Sequence, residues 1–399
     1  MADQSNTGAT GTQSNPSTPT TTVIPETVSA YQRFSDVDVI MDVVRPTRIV
    51  GLGNVLILNP NTAQMTNTTN TGEKNADGLT SADYENGVLL RKTDAKSGAS
   101  YVEYASADAV GYDYGETGDI YNKAQAYFAQ ANPSDRIAVL TYDPAKVYDA
   151  LEAFWYFNWT FAVQVTSKID DASLSLSNIF EANKDHFLVL QSADPSVYAN
   201  YKGQNYTIGL VHDLSEPMDT ALLGSTALLT VGSTTWKFRN LVGITPDLLT
   251  VNELKGINEY YAIAYVEVAG QGETSEGTAL SGEYIDTLHG ILWVKNEMQN
   301  RLEKLLQNNN KIPYEQSGIN MISGVATQVL QQAYEQGIIM TNETNGKGDF
   351  TVTATPRSAQ SRDDLSKRHY DGLSFTYHAS GAIHTITVHG TVNSDTILN

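Results

Sequence analysis

Seven histidines, a scatter of carboxylates and two glycine-rich stretches are the residues here that could do chemistry. His378, His384 and His389 crowd the C-terminal end, and grouped imidazoles suggest a metal site. On an extended strand His384 and His389 face opposite ways. His378 and His384 flank Ser380-Gly381 and lie on different faces of a hairpin turning there, so the three read as partly exposed sheet histidines. Asp143, Asp149, Asp170, Asp171 and Glu181 supply carboxylates, but no two have the placement that proton transfer requires. No Ser-His-Asp signature or nucleophile elbow occurs. Catalysis has no support in the residue pattern, and no cofactor or metal ligand set is expected.

The two glycine-rich stretches fare no better as phosphate sites. Gly51-Leu-Gly53 lacks the third glycine of a dinucleotide loop and runs into Val55-Leu-Ile-Leu58, another strand rather than a helix. It reads as a turn between strands. Gly270 to Gly282 has no Gly-Lys-Ser/Thr, and Glu273 and Glu276 would repel a phosphate. It reads as a flexible connection whose Ser and Thr satisfy turn backbone.

The whole-chain balance agrees. The 399 residues carry 25 Lys and Arg against 45 Asp and Glu, a formal net charge of -20. Such a surface repels phosphate backbones and anionic lipid, which argues against nucleic-acid or membrane partners. There is no cysteine, so disulfides, thiol catalysis and thiolate metal sites drop out together. The N-terminus lacks a basic start followed by an apolar core, so it is not read as a secretory signal. The most apolar window, Ala153 to Val165, is too short to span a bilayer. A soluble protein made in the cytoplasm is expected. Tyrosines number 22, a residue with an apolar body and a wet tip that suits interfaces.

The elements fall into four segments. Residues 1–30 read as an extended arm: residues 1–22 are too polar to bury much surface, whereas Thr21 to Val28, interrupted by Pro25, suits an edge strand. Residues 31–100 read as β-rich, with strands at Val37 to Val44 and Arg48 to Leu58, then a polar, loop-rich insertion or surface subdomain from about Asn59 to Gly98. Residues 101–340 alternate strands and helices, the rhythm of a layered α/β core. Helices are expected at Asp119 to Ala131, Pro144 to Phe154, 171–183 and Pro217 to Leu229. Strands are expected at Ile137 to Thr141, Thr160 to Thr166, Phe187 to Gln191, Tyr206 to His212 and Tyr260 to Val268. Leu288, Ile291, Leu292, Met298, Leu302, Leu305 and Leu306 recur at helical spacing, predicting one long helix from about Ile285 to Gln307. A second helix carries Ile319 to Ala333 and stops at Gly337.

Residues 341–399 read as a β subdomain and arm. A strand is expected at Asp349 to Thr355. Leu373, Phe375 and Tyr377 then alternate with polar residues, and so do Ile386, Val388 and Val392. A Ser-Gly turn would set Phe375 opposite Ile386, Leu373 opposite Val388 and Tyr377 opposite His384. In that hairpin Ile386 is buried, and Ile386→Asp unfolds the terminal sheet.

The later segments carry a resemblance. Thr235-Trp-Lys-Phe-Arg-Asn-Leu-Val-Gly-Ile-Thr-Pro-Asp247, Thr274-Ser-Glu-Gly277, Ser281-Gly-Glu-Tyr-Ile-Asp286 and Lys311-Ile-Pro-Tyr-Glu-Gln-Ser-Gly-Ile319 resemble tail sheath proteins of contractile-tailed bacteriophages, of the short sheath-like family. Ser380 to Val392 is similar to that family's closing motif, and Tyr104 to Tyr142 fits as well. The resemblance spans roughly Val37 to Val392. It implies an α/β sheath core with a small β-rich subdomain built from both chain ends. It also implies many copies stacked as hexameric rings around a tail tube protein, contraction through a host envelope, and contacts with baseplate and tail terminator. The site implied is the virion tail, with assembly in the host cytoplasm. Arms that add strands to neighbouring subunits place the exchange residues at Val23, Ile24, Val28, Ile386, Val388, Val392, Ile397 and Leu398. The competing readings are an α/β enzyme or nucleotide-binding protein, and a tail adhesin or receptor-binding protein.

Overall fold

A computed structural model describes residues 52–61, 64–65, 73–166 and 168–389. The expected strand at Val37 to Val44 and the N-terminal arm lie outside these residues. β1 (Val55–Asn59) is followed by α1 (Ser81–Glu85), β2 (Val88–Thr93), β3 (Ser100–Tyr104), α2 (Ala107–Tyr114), α3 (Asp119–Phe128) and β4 (Ile137–Thr141). Next come α4 (Val147–Phe154), β5 (Phe161–Gln164), α5 (Asp171–Asn183), β6 (Phe187–Ser192), β7 (Thr207–Val211) and α6 (Met218–Thr226). The chain continues through α7 (Val251–Asn258), β8 (Ile263–Val268), β9 (Gln271–Thr274), α8 (Ile285–Asn308) and α9 (Gln316–Glu335). It closes on β10 (Phe350–Ala354), α10 (Arg362–Lys367) and β11 (Leu373–Tyr377).

The main sheet has nine strands in the order β2-β3-β4-β1-β5-β6-β7-β8-β9. From β4 through β8 neighbours run parallel, while β2, β3 and β9 attach antiparallel at the two ends. Parallel strands need helical crossovers, so both their faces are covered and they read as unbroken apolar runs. β1, β6 and β7 are buried at every position. The α/β fold class inferred from the sequence is the one observed. Local chemistry sets several helix starts: Asp170 accepts from Ala172 N at 3.0 Å and begins α5, and Thr250 and Glu253 close a capping box on α7.

Two loop expectations are corrected. The segment from Asn59 to Gly98 is no mere insertion, because α1 and β2 lie within it and β2 forms an end of the main sheet. Arg91 explains its attachment, pairing with Asp83 and with Asp113 of α2, both at 2.7 Å. Within Gly270 to Gly282, β9 pairs with β8, Val266 opposite Glu273 and Val268 opposite Gln271. Four residues with one charge and one glycine are too short and too polar to show a strand period in the sequence. The turn reading of Leu52-Gly53 stands. A Cβ on Gly53 would lie 2.1 Å from the Ala227 carbonyl oxygen just past α6, so this glycine permits close packing rather than phosphate contact.

α8 joins two cores. Ile285, Leu288 and Leu292 pack into the main core. Trp293, Val294, Met298 and Leu302 turn to a second core shared with α9, where Ala326, Val329, Leu330 and Ala333 are buried.

Candidate assembly site at the C-terminal sheet

The second core is roofed by a two-stranded antiparallel sheet of β10 and β11. Its register sets Phe350 against Tyr377, Val352 against Phe375, and Ala354 against Leu373. Phe350, Val352, Leu373, Phe375 and Tyr377 face the helices, while Thr351, Thr353, Ser374 and Thr376 are exposed. The period-2 alternation of 373–377 is thus a half-buried strand, as expected.

The expected hairpin is not formed. β11 pairs with β10 instead of turning back at Ser380-Gly381. The chain after β11 is caught by the segment after α9: Met340 N donates to the His378 carbonyl at 3.0 Å and Ser380 N donates to the Ile338 carbonyl at 2.8 Å. Residues 381–389 form no strand. The register argument failed because Phe350, Val352 and Ala354 offer the same apolar alternation, and this rival strand is already seated on α9. Ile386 and Val388 are therefore 81% and 83% exposed, rather than facing Phe375 and Leu373. Val23, Ile24, Val28, Val392, Ile397 and Leu398 lie outside the described residues.

Among the described residues, neither outer edge of the β10–β11 sheet carries another strand. An unpaired edge presents a row of backbone N–H and C=O groups, a template for an incoming strand. A segment that forms no strand and bares the β-branched Ile383, Ile386 and Val388 follows in the same chain.

The residues weighed for catalysis have structural roles. Asp143 and Asp170 cap the turns that follow them, Asp143 taking the Ala145 N–H at 3.0 Å. Asp149 pairs with Lys96 at 2.9 Å. Asp171 sits in the first turn of α5. Glu181 accepts the Tyr206 N–H, and burial pushes its carboxyl above the usual range. Among the described residues no three of His, Asp and Glu gather closely enough to hold a metal ion, and no helix is long and apolar enough to cross a membrane. His378 is exposed and meets Asp349 at 2.6 Å. His384 lies in no strand, and its side chain is only 8% exposed although the residue as a whole is partly exposed.

Sequence reasoning missed several buried polar links, Lys123 with Asp219 among them. Lys295 of α8 pairs with Asp185 just before β6, both side chains almost wholly buried. The signal was present, since Lys295 and Gln299 interrupt the apolar stripe of Leu288, Leu292 and Leu302. His212, 3% exposed, sits between Asp247 at 2.9 Å and Glu216 at 3.0 Å. His212 and Glu216 are four residues apart, but Asp247 comes from 35 residues away and no local spacing announces it.

Residues 285–392 match the family described as E217 tail sheath protein gp31-like, C-terminal domain. The span runs from the start of α8 past the exposed segment. None of the curated proteins compared matches the chain. Among solved structures, a chain of the anti-feeding prophage (AFP) baseplate is similar with a TM-score of 0.62 at 10% identity, covering 95% of this chain and 100% of that one. The sheath complex of an extracellular contractile injection system, PVC, in its contracted state gives 0.60 at 12% identity, with 92% and 98% covered. The AFP helical sheath in its contracted state gives 0.58 at 10%, with 93% and 99% covered. The sheath resemblance read from the sequence is borne out: this chain has the fold seen in contractile sheath assemblies, and its residues 285–392 match a tail sheath family model.

Proposed function

We propose that this chain is a structural, non-enzymatic sheath subunit that polymerises with its own copies as stacked hexameric rings around a tail tube. Contraction of that lattice would drive the tube through a host envelope. The reading is supported by β10–β11 edges that carry no further strand among the described residues, beside a segment that bares Ile386 and Val388 at 81% and 83% exposure. Covering such a side chain in a partner is worth about 1.5–3 kcal/mol, and the backbone bonds of an added strand fix its register. On this reading residues 1–30 and the end of segment 341–399 are the arms. Val23, Ile24 and Val28 lie on one, and Ile386, Val388, Val392, Ile397 and Leu398 on the other. Baseplate, tail terminator and tube are the other partners, the location is the tail of a virion, and assembly takes place in the host cytoplasm. No nucleotide is consumed, because the work comes from contact formed between subunits.

Electron microscopy of the purified full-length protein tests the reading. Tubes or stacked rings are expected. A persistent monomer with both arms intact would overturn it.

A further inference from the structure

The exposed C-terminal segment is fastened at one point. His384 Nε2 lies 2.8 Å from Thr235 Oγ1. The ring meets Tyr284 edge-on at 4.8 Å and Phe238 at 6.1 Å. Its side chain is 8% exposed, whereas Ile383 and Ile386 on either side are 78% and 81% exposed. A polar ring buried between bare apolar neighbours reverses the usual partition, so the socket selects His384.

The socket belongs to the main domain, not to the sheet from which the segment departs. Phe238 N donates to the Thr274 carbonyl at 3.1 Å, at the end of β9. Phe238 holds φ at +66°, a left-handed conformation that is costly for a bulky residue and that brings its ring to the imidazole. Glu276 completes the wall, 4.0 Å from His384 Nδ1 and 2.9 Å from Lys237. Between the sheet and this touchdown the strap lines a cavity of about 280 Å³ with Thr235, Arg239, Asp286 and Tyr377. The strap is not packed flat; it bridges from β11 to its socket.

We propose that His384 is a latch that pins the root of the C-terminal arm to the main domain. The freely directed arm then begins at Thr385 and leaves the subunit along one line. Without the latch the arm pivots at Ser380, the last residue bonded to the segment after α9, and its search volume widens. The role in assembly rests on the proposed strand donation; the latch itself is a property of the single subunit.

Brief elastase digestion of full-length monomer, read by mass spectrometry of the C-terminus, tests the latch directly. The wild-type chain is expected to be trimmed after Ile386 or Val388 and protected at Ala382. His384→Ala should be cut after Ala382 roughly tenfold faster, as expected for loss of one hydrogen bond and one buried ring. Thr235→Val removes the bond to His384, along with the 3.4 Å bond from Lys237 N, but keeps the wall, and should fall between the two. His384→Ala should keep the wild-type urea midpoint, since the strap lies outside both cores, and cutting by Thr235→Val is compared under conditions where its own midpoint shows it folded. Equal cutting after Ala382 in wild type and both variants would overturn the latch. In a separate electron-microscopy arm, His384→Ala should form fewer tubes than wild type. Wild-type protein that shows the protection but never polymerises would sink strand donation and leave the latch standing.

Discussion

Lys295 and Asp185 form an ion pair with side chains 1% and 2% exposed, joining α8 to the turn that leads into β6. Removing one partner strands a buried charge, which costs about 3–5 kcal/mol. Lys295→Met should therefore lower stability by that order in urea unfolding. The double variant Lys295→Met with Asp185→Leu should recover most of the loss, because apolar replacements of similar volume are often neutral at such sites. A double variant no better than the single one would contradict this.

Two buried histidines make the fold acid-sensitive. His186, stacked on Trp159 at 3.7 Å, is held by burial at about 3, and His289, bonded to the Leu52 carbonyl at 2.7 Å, is held by burial at about 4. Folding keeps both neutral, while the unfolded chain protonates them below about 6.5. Their contribution is intact above that value and is lost as pH falls toward 4 and then 3. Each should add on the order of 1.4 kcal/mol per pH unit to the acid loss across that window. His186→Phe should be less stable at pH 7 but show a shallower acid slope between pH 6 and 4.5 in urea titrations.

Ile386→Asp separates assembly from folding. In a closed hairpin it would unfold the terminal sheet; with Ile386 81% exposed, its effect on monomer stability should stay within about 0.5 kcal/mol. Assembly should fail, because the charge would have to be buried at the interface. A large drop in the monomer's urea midpoint would show that Ile386 is buried in the subunit's own fold.

Arm deletions follow the same logic. Removing Met1 to Val28, or Thr391 to Asn399, should leave a folded, soluble core by circular dichroism and size exclusion. Neither truncation should form tubes under the electron microscope. Tubes from either would remove that arm from the mechanism.

Two glycines should respond in opposite directions to alanine. Gly53→Ala drives a Cβ to 2.1 Å from the Ala227 oxygen and should cost about 1–3 kcal/mol through overpacking. Gly256 lies inside α7 with no atom within 4 Å of a built Cβ, and Gly256→Ala should gain about 0.5–1 kcal/mol from helix propensity. Denaturation midpoints of the two variants on one plot decide both.

The α/β class, the long helix beginning at Ile285, the strand at Phe187 and the half-buried alternation at Leu373 to Tyr377 could all be read from residue order. Helical and strand periods are written directly into the chain, and an apolar face declares itself wherever it repeats. Ordered motifs from Thr235 onward also pointed to the sheath resemblance. Period reports which face must be covered, however, and not what covers it. That is why β2 and β9, which lack a clean apolar alternation, went unread, and why Ile386 was assigned to Phe375 when Val352 had already taken that place. The link from Lys295 to Asp185 and the socket for His384 join residues 110 and 149 positions apart. No local pattern encodes such pairings; they exist only once two cores have packed and brought distant loops within reach of one ring or one ammonium.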